Sequence, residues 1–186
     1  GTENNHVSIT NNKINNGSYG LYFAGIGTSD FETGNLVSNN EFIDFNYSGI
    51  YLYCQDSINV NSNNIYAKSS GGNSSQYGLN VSYTDNSSIF SKNKIRVNAT
   101  ASNYGISLNN CDGTSGNENQ IVNNLISCHN SSNTSYGINI SSCTWLNIYY
   151  NSVNITDGIS PYSSAMYAPN GSNIEIQNNI FANTKS

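Results

Sequence analysis

The chain has 186 residues, a formal charge of −5 and only 9% charged side chains, against ~25% in an average soluble domain. Six Lys+Arg are too few for the basic stripe that neutralises nucleic-acid phosphates, and no run of ~18 apolar residues is present to cross a bilayer as a helix. With 14 Tyr set among Asn, Ser, Thr and Gly, the polarity is uncharged, unlike that of an acidic disordered tail.

Ile9-Thr10-Asn11-Asn12-Lys13-Ile14 is the first copy of a motif that reads apolar, two variable positions, asparagine, one variable position, apolar. Its anchor returns as Asn40, Asn63, Asn93, Asn124, Asn151 and Asn179, at steps of 28, 23, 30, 31, 27 and 28 residues. Self-similarity at that period is the signature of a stacked-repeat architecture. Between the asparagines runs a second motif, glycine followed by apolar residues one and three positions on. Its copies are Gly20-Leu21-Tyr22-Phe23, Gly49-Ile50-Tyr51-Leu52, Gly78-Leu79-Asn80-Val81, Gly105-Ile106-Ser107-Leu108 and Gly137-Ile138-Asn139-Ile140. A sixth copy, Ser164-Ala165-Met166, has lost the glycine. The alternation is that of a half-buried strand, and no stretch keeps a helical period.

Each repeat therefore predicts three short strands: one after the glycine, one before the asparagine and one after it. Coils stacked at the ordinary inter-strand spacing of ~4.8 Å give a rod about 29 Å tall between the first and last anchors. The expectation is an all-β, single-domain solenoid over residues 1–186, with about seven coils. It is read as a mature protein or a segment of a longer repeat protein, since Gly1 to Asn5 carry no signal-peptide pattern. A buried amide at each corner predicts a ladder of Asn12, Asn40, Asn63, Asn93, Asn124, Asn151 and Asn179. Longer loops are confined to one corner, at Ala67–Gln76, Ala99–Asn103, Cys128–Ser135 and Thr156–Ser163, and predict a lip along one edge. One further insertion, Gly113–Glu118, falls at another corner.

Gly-Ile-x-Ile followed by Ile-x-x-Asn-x-Ile, from Val7 to Asn183, resembles the repeat of right-handed parallel β-helix proteins of the pectate-lyase-like superfold. Phrases such as Asn147 to Val153 and Ser172 to Asn183 resemble large secreted repeat proteins of Bacteroidetes-type bacteria. These resemblances imply a right-handed, single-stranded parallel β-helix and an extracellular or cell-surface location.

Three constellations bear on chemistry. Asp56, Asp85 and Asp112 each lie seven residues after their glycine, so successive coils stack them. They read either as turn aspartates bonded to local backbone amides or as a site for Ca²⁺, which prefers carboxylate oxygens. Tyr22, Tyr51 and Tyr53 take outward positions on adjacent coils with Tyr83 nearby, and serve either ligand stacking or sheet packing. The tyrosines before glycine, at 19, 77, 104 and 136, read as structural corner fillers. Cys111 and Cys143 share a register close enough for a disulfide, while buried free thiols, with Cys54 and Cys128, are the favoured reading.

Catalysis has little to draw on. A lyase needs a base for the sugar C5 proton, and the only arginine, Arg96, lies with Lys92 and Lys94 a corner away from the aspartates. Tyr83-Thr84-Asp85-Asn86 faintly echoes a hydrolase motif without its partners, and His6 and His129 fall outside it. No catalytic residue is assigned. The favoured function is a non-catalytic extracellular module, a stalk, adhesin or fibre segment that binds polysaccharide or neighbouring repeats. The alternatives are a lyase- or epimerase-like carbohydrate-active enzyme and a filament subunit that associates end to end.

Overall fold

The computed structural model describes residues 4–68, 74–129, 133–156 and 161–184. Three parallel sheets run the length of the molecule, and every strand pairs with its equivalent one coil along. Strands leading into the asparagine corner (Ser8–Thr10, Leu36–Ser38, Asn59–Asn61, Ile89–Ser91, Asn119–Val122, Cys143–Tyr149, Gly171–Gln177) form the entry sheet. Those leaving it (Lys13–Asn15, Glu41–Phe45, Asn64–Ala67, Lys94–Val97, Leu125–His129, Ser152–Thr156, Ile180–Asn183) form the exit sheet. The glycine sheet holds Tyr19–Ala24, Ser48–Asp56, Gln76–Asp85, Asn103–Asn109, Ser135–Ser141 and Ser164–Tyr167. The fold is a parallel β-solenoid of about six turns, close to the seven coils expected, and the described residues contain no helix.

The core is a single column, because the inward position of each strand is apolar in every coil. Ile50, Leu79, Ile106 and Ile138 from the glycine sheet meet Val60, Phe90, Ile121 and Ile148 from the entry sheet and Ile65, Ile95 and Ile126 from the exit sheet. All are essentially inaccessible, and each such burial is worth ~1.5–3 kcal/mol. The repeat glycine is set by this packing. A Cβ on Gly105 would lie 2.3 Å from Ile126 Cγ2 and 2.5 Å from the Gly137 carbonyl, so only hydrogen fits there.

The asparagine corner carries the ladder. In each of six rungs the backbone N–H and the side-chain Nδ2–H of one asparagine both donate to Oδ1 of the next. Asn63 reaches Asn93 at 3.0 and 3.0 Å, and Asn93 reaches Asn124 at 3.0 and 3.1 Å. The second Nδ2 hydrogen points back to the preceding coil, from Asn93 to the Val60 carbonyl at 3.0 Å and from Asn124 to the Phe90 carbonyl at 2.8 Å. The same pattern joins Asn12, Asn40, Asn151 and Asn179 to the column. The residue before each anchor (Asn11, Asn39, Ser62, Lys92, Asn123, Tyr150, Asn178) is left-handed, with φ between 55° and 59°. That turn aims the amide inward, and asparagine tolerates it better than most residues.

Two features depart from the sequence reading. The glycine strands run up to ten residues, because they continue through a left-handed bend at Cys54 or Tyr83 to reach Asp56 and Asp85. Residues 25–34 also leave the coil at the corner that carries the 113–118 insertion, and Glu32–Thr33 return to pair with Gln55 and Asp56.

Asn93→Ala strands the donors of Asn63 and the Val60 carbonyl together, each at ~1–3 kcal/mol, and is expected to cost more than about 3 kcal/mol. Asn12→Ala, at the exposed end of the column, is expected to cost less than about 1 kcal/mol. Urea unfolding of the two variants checks the gradient, and equal costs would show that the rungs do not cooperate.

Candidate binding groove

The outward face of the glycine sheet builds the site. Register places Tyr22, Tyr51, Asn80, Ser107, Asn139 and Tyr167 in one file along the rod. Beside it runs Ala24, Tyr53, Ser82, Asn109 and Ser141. The first two copies thus carry tyrosine where the next three carry only asparagine or serine. The small polar residues form the floor of an open groove of about 460 Å³. Tyr47, Tyr77 and Tyr104 wall one side, and Tyr51 closes one end.

The wall is a stacked column. Tyr77 and Tyr104 lie with ring centroids 4.5 Å apart and planes 7° from parallel, and Tyr47 leans on Tyr77 at 5.4 Å. The tyrosines before glycine read as corner fillers; the structure places them half-exposed on the rim, with Tyr77 and Tyr104 lining the groove. Burial pushes the Tyr77 hydroxyl well above the usual phenol range and that of Tyr104 upward too, so both stay neutral donors. Of the tyrosines singled out from sequence, Tyr22 and Tyr51 stack at 4.7 Å and Tyr53 meets Tyr83 edge-on at 5.6 Å. Only Tyr51 of these four lines the groove.

On the floor, Asn139 Nδ2 donates to Ser107 Oγ at 3.0 Å. The side chains of Asn80, Ser82, Asn109 and Ser141 make no hydrogen bond to the described residues. Their amides and hydroxyls face solvent in rows one coil apart. Among the described residues no carboxylate, histidine, lysine or arginine lines the groove.

Asp56, Asp85 and Asp112 do stand in one file, followed by Thr144. Their oxygens are engaged locally. Asp85 accepts the Asp112 backbone N–H at 2.8 Å, Asp112 accepts Thr144 Oγ1 at 2.8 Å, and Asp56 accepts Ser57 Oγ at 3.0 Å. Among the described residues no three His, Cys, Asp or Glu side chains converge as a cation site. Burial pushes Asp85 up to about 6, helped by the Asp112 and Asp56 charges and opposed by the Asp112 N–H.

The four cysteines are buried free thiols, and burial raises Cys128 to about 12 and Cys111 far up. Lys94 and Arg96 are exposed on the exit sheet, away from the groove. His129, read as a loop residue, ends an exit strand with its ring between Ser127 Oγ at 2.8 Å and Thr156 Oγ1 at 2.5 Å. Of the expected lip, residues 69–73, 130–132 and 157–160 lie outside the described residues.

No family model matches the chain, and no curated protein or solved structure matches it.

Because the folded value of Asp85 lies above the ordinary 3.8, the unfolded chain releases this proton first. Between about pH 4 and pH 6 the folded state holds a proton that the unfolded state has lost. Stability is therefore expected to fall as pH rises through that window and to level off above it. Asp85→Asn, which keeps the acceptor for Asp112, should flatten the slope in urea midpoints measured from pH 3.5 to 7. An unchanged slope would place the titration elsewhere.

Proposed function

We propose that this chain is a non-catalytic extracellular or cell-surface module, a stalk, adhesin or fibre segment, that binds polysaccharide in the tyrosine-walled groove. The observation that carries the reading is the groove itself, a long open surface with stacked aromatic rings on its wall and unpartnered amides and hydroxyls on its floor. Aromatic faces pack on the apolar faces of sugar rings while amides and hydroxyls exchange hydrogen bonds with sugar hydroxyls. The described residues of the lining offer no carboxylate, imidazole or amine for acid–base work, which supports binding without cleavage. The resemblance of the repeats to the pectate-lyase-like superfold and to large secreted Bacteroidetes-type proteins supports the extracellular, bacterial setting.

Affinity electrophoresis through gels containing soluble polysaccharides tests this. At least one polysaccharide should retard the protein, Tyr51→Ala and Tyr104→Ala should each weaken binding about tenfold (~1.4 kcal/mol), and the polysaccharide should keep its length. Shortening of the polymer would establish an enzyme, and groove variants that bind as wild type would move the site elsewhere.

A second reading, end-to-end assembly, rests on the direction of the ladder. Among the described residues the Asn179 backbone N–H meets no rung and Asn12 Oδ1 accepts none, so the two faces of the described ladder match as donor and acceptor. Ile176, Ile180 and Phe181 are exposed on the last described turn, where a second copy's first turn would cover them. Sedimentation should then show rods that lengthen with concentration and that Ile180→Lys with Phe181→Glu reduces to monomers. A monomer at all concentrations would overturn this reading.

A further inference from the structure

The groove also specifies the charge and the seating of what it takes, an inference that rests on the polysaccharide-binding reading above. We infer that the ligand is an uncharged glycan lying lengthwise along the rod, with its sugar hydroxyls on the two floor files and its ends against Tyr51 and Tyr167.

Charge is decided first. No described residue of the lining carries one, so a polyanion would find no cation there to offset the water it loses. The nearest formal charges along the floor strands repel it. Asp85 follows Ser82 by three residues and Asp112 follows Asn109 by three, both just past the left-handed bends at Tyr83 and Asn110. Of the described basic side chains, Lys13, Lys94 and Arg96 stand on the exit sheet, Lys92 at the asparagine corner and Lys68 just past the exit strand Asn64–Ala67, and none of them lines the groove. A polycation is no better served, since the aspartates lie beyond the bend with their oxygens already bonded.

Seating follows from register. Asn80, Ser107 and Asn139 repeat at one coil per step, and Ser82, Asn109 and Ser141 repeat beside them. Tyr51 pairs with Asn80 at one end of the first file, and Tyr167 pairs with Asn139 at the other. Four coil steps separate the two tyrosines, about 19 Å at the usual strand spacing. Tyr22 stacks behind Tyr51 and continues that end as an aromatic platform. A chain laid along the axis meets a hydrogen-bonding pair at each coil and a ring at each end. Laid across the sheet it would meet only one coil and leave most of the unpartnered amides in water. An extended peptide is the poorer fit, because the floor has no side-chain pocket and the strands beneath it already pair on both edges.

The test uses the whole chain in affinity gels containing hydroxyethylcellulose, galactomannan, alginate or polygalacturonate, each at low salt and at high salt. Retardation by at least one of the two neutral polymers, insensitive to salt, and by neither anionic one is expected. Retardation by the anionic polymers alone, abolished by salt, overturns the neutral ligand while leaving polysaccharide binding in place. Retardation by none of the four overturns both. The double variant Asn80→Ala, Asn109→Ala loses no hydrogen bond within the protein, so its melting temperature should stay at the wild-type value while neutral-polymer affinity falls at least tenfold. An unchanged affinity in that variant overturns the floor as the contact surface. For seating, calorimetry with oligosaccharides of the neutral polymer that binds should show affinity rising with chain length and levelling off once the chain spans Tyr51 to Tyr167. A disaccharide that binds as tightly as longer chains overturns the lengthwise placement.

Discussion

The molecule depends on one amide geometry, repeated. A carboxamide carries two donors and an acceptor with two lone pairs, and at the asparagine corner all four are used. Oδ1 takes two hydrogens from the coil before, while Nδ2 gives one to the coil after and one to a carbonyl of the coil before. No other side chain of that size does this. Aspartate lacks the donors, serine lacks the reach, and glutamine is a methylene too long for a turn this tight. Because each rung is satisfied only when its neighbours are in register, the ladder fixes the stacking of all three sheets. The apolar column inside then has one way to pack.

Much of this was legible in the residues. Seven asparagines at a near-constant interval, each flanked by apolar positions, define the coil, and glycine with Ile or Leu at alternate positions defines the second corner. What the pattern did not reveal is the left-handed residue before each anchor. Lys92 and Tyr150 sit in that conformation as Asn11 and Asn39 do, so residue type gives no consistent sign of it. The long glycine strands escaped for a related reason. Cys54 and Tyr83 make bends without glycine or proline, and a bend in such residues leaves no mark in composition.

The candidate groove was half legible. Aromatic side chains on the outward glycine-strand positions drew attention to Tyr22, Tyr51, Tyr53 and Tyr83, yet the groove lies where tyrosine gives way to Asn80, Ser107 and Asn139. Small polar residues on an outward strand position look like plain solvent-facing sequence. They acquire meaning only when register shows three successive coils carrying them between aromatic ends. Tyr77 and Tyr104 recur at the corner before each glycine, where periodic recurrence is the mark of structure and of a wall alike. The aspartates show the converse. Their file was correctly read from spacing, and side-chain geometry then tied their oxygens to neighbouring donors.

In the sheets of this rod, successive peptide groups along each strand point in opposite senses, and their dipoles largely cancel along the axis. The corner amides do not cancel. From Asn12 to Asn179 every side-chain N–H of the rungs points the same way, head to tail. With ~3.5 D for each amide, the stack forms a weak electrical axis like that of a helix, positive toward Asn179 and negative toward Asn12. The cylinder therefore has an electrical sense of direction that its few formal charges do not supply.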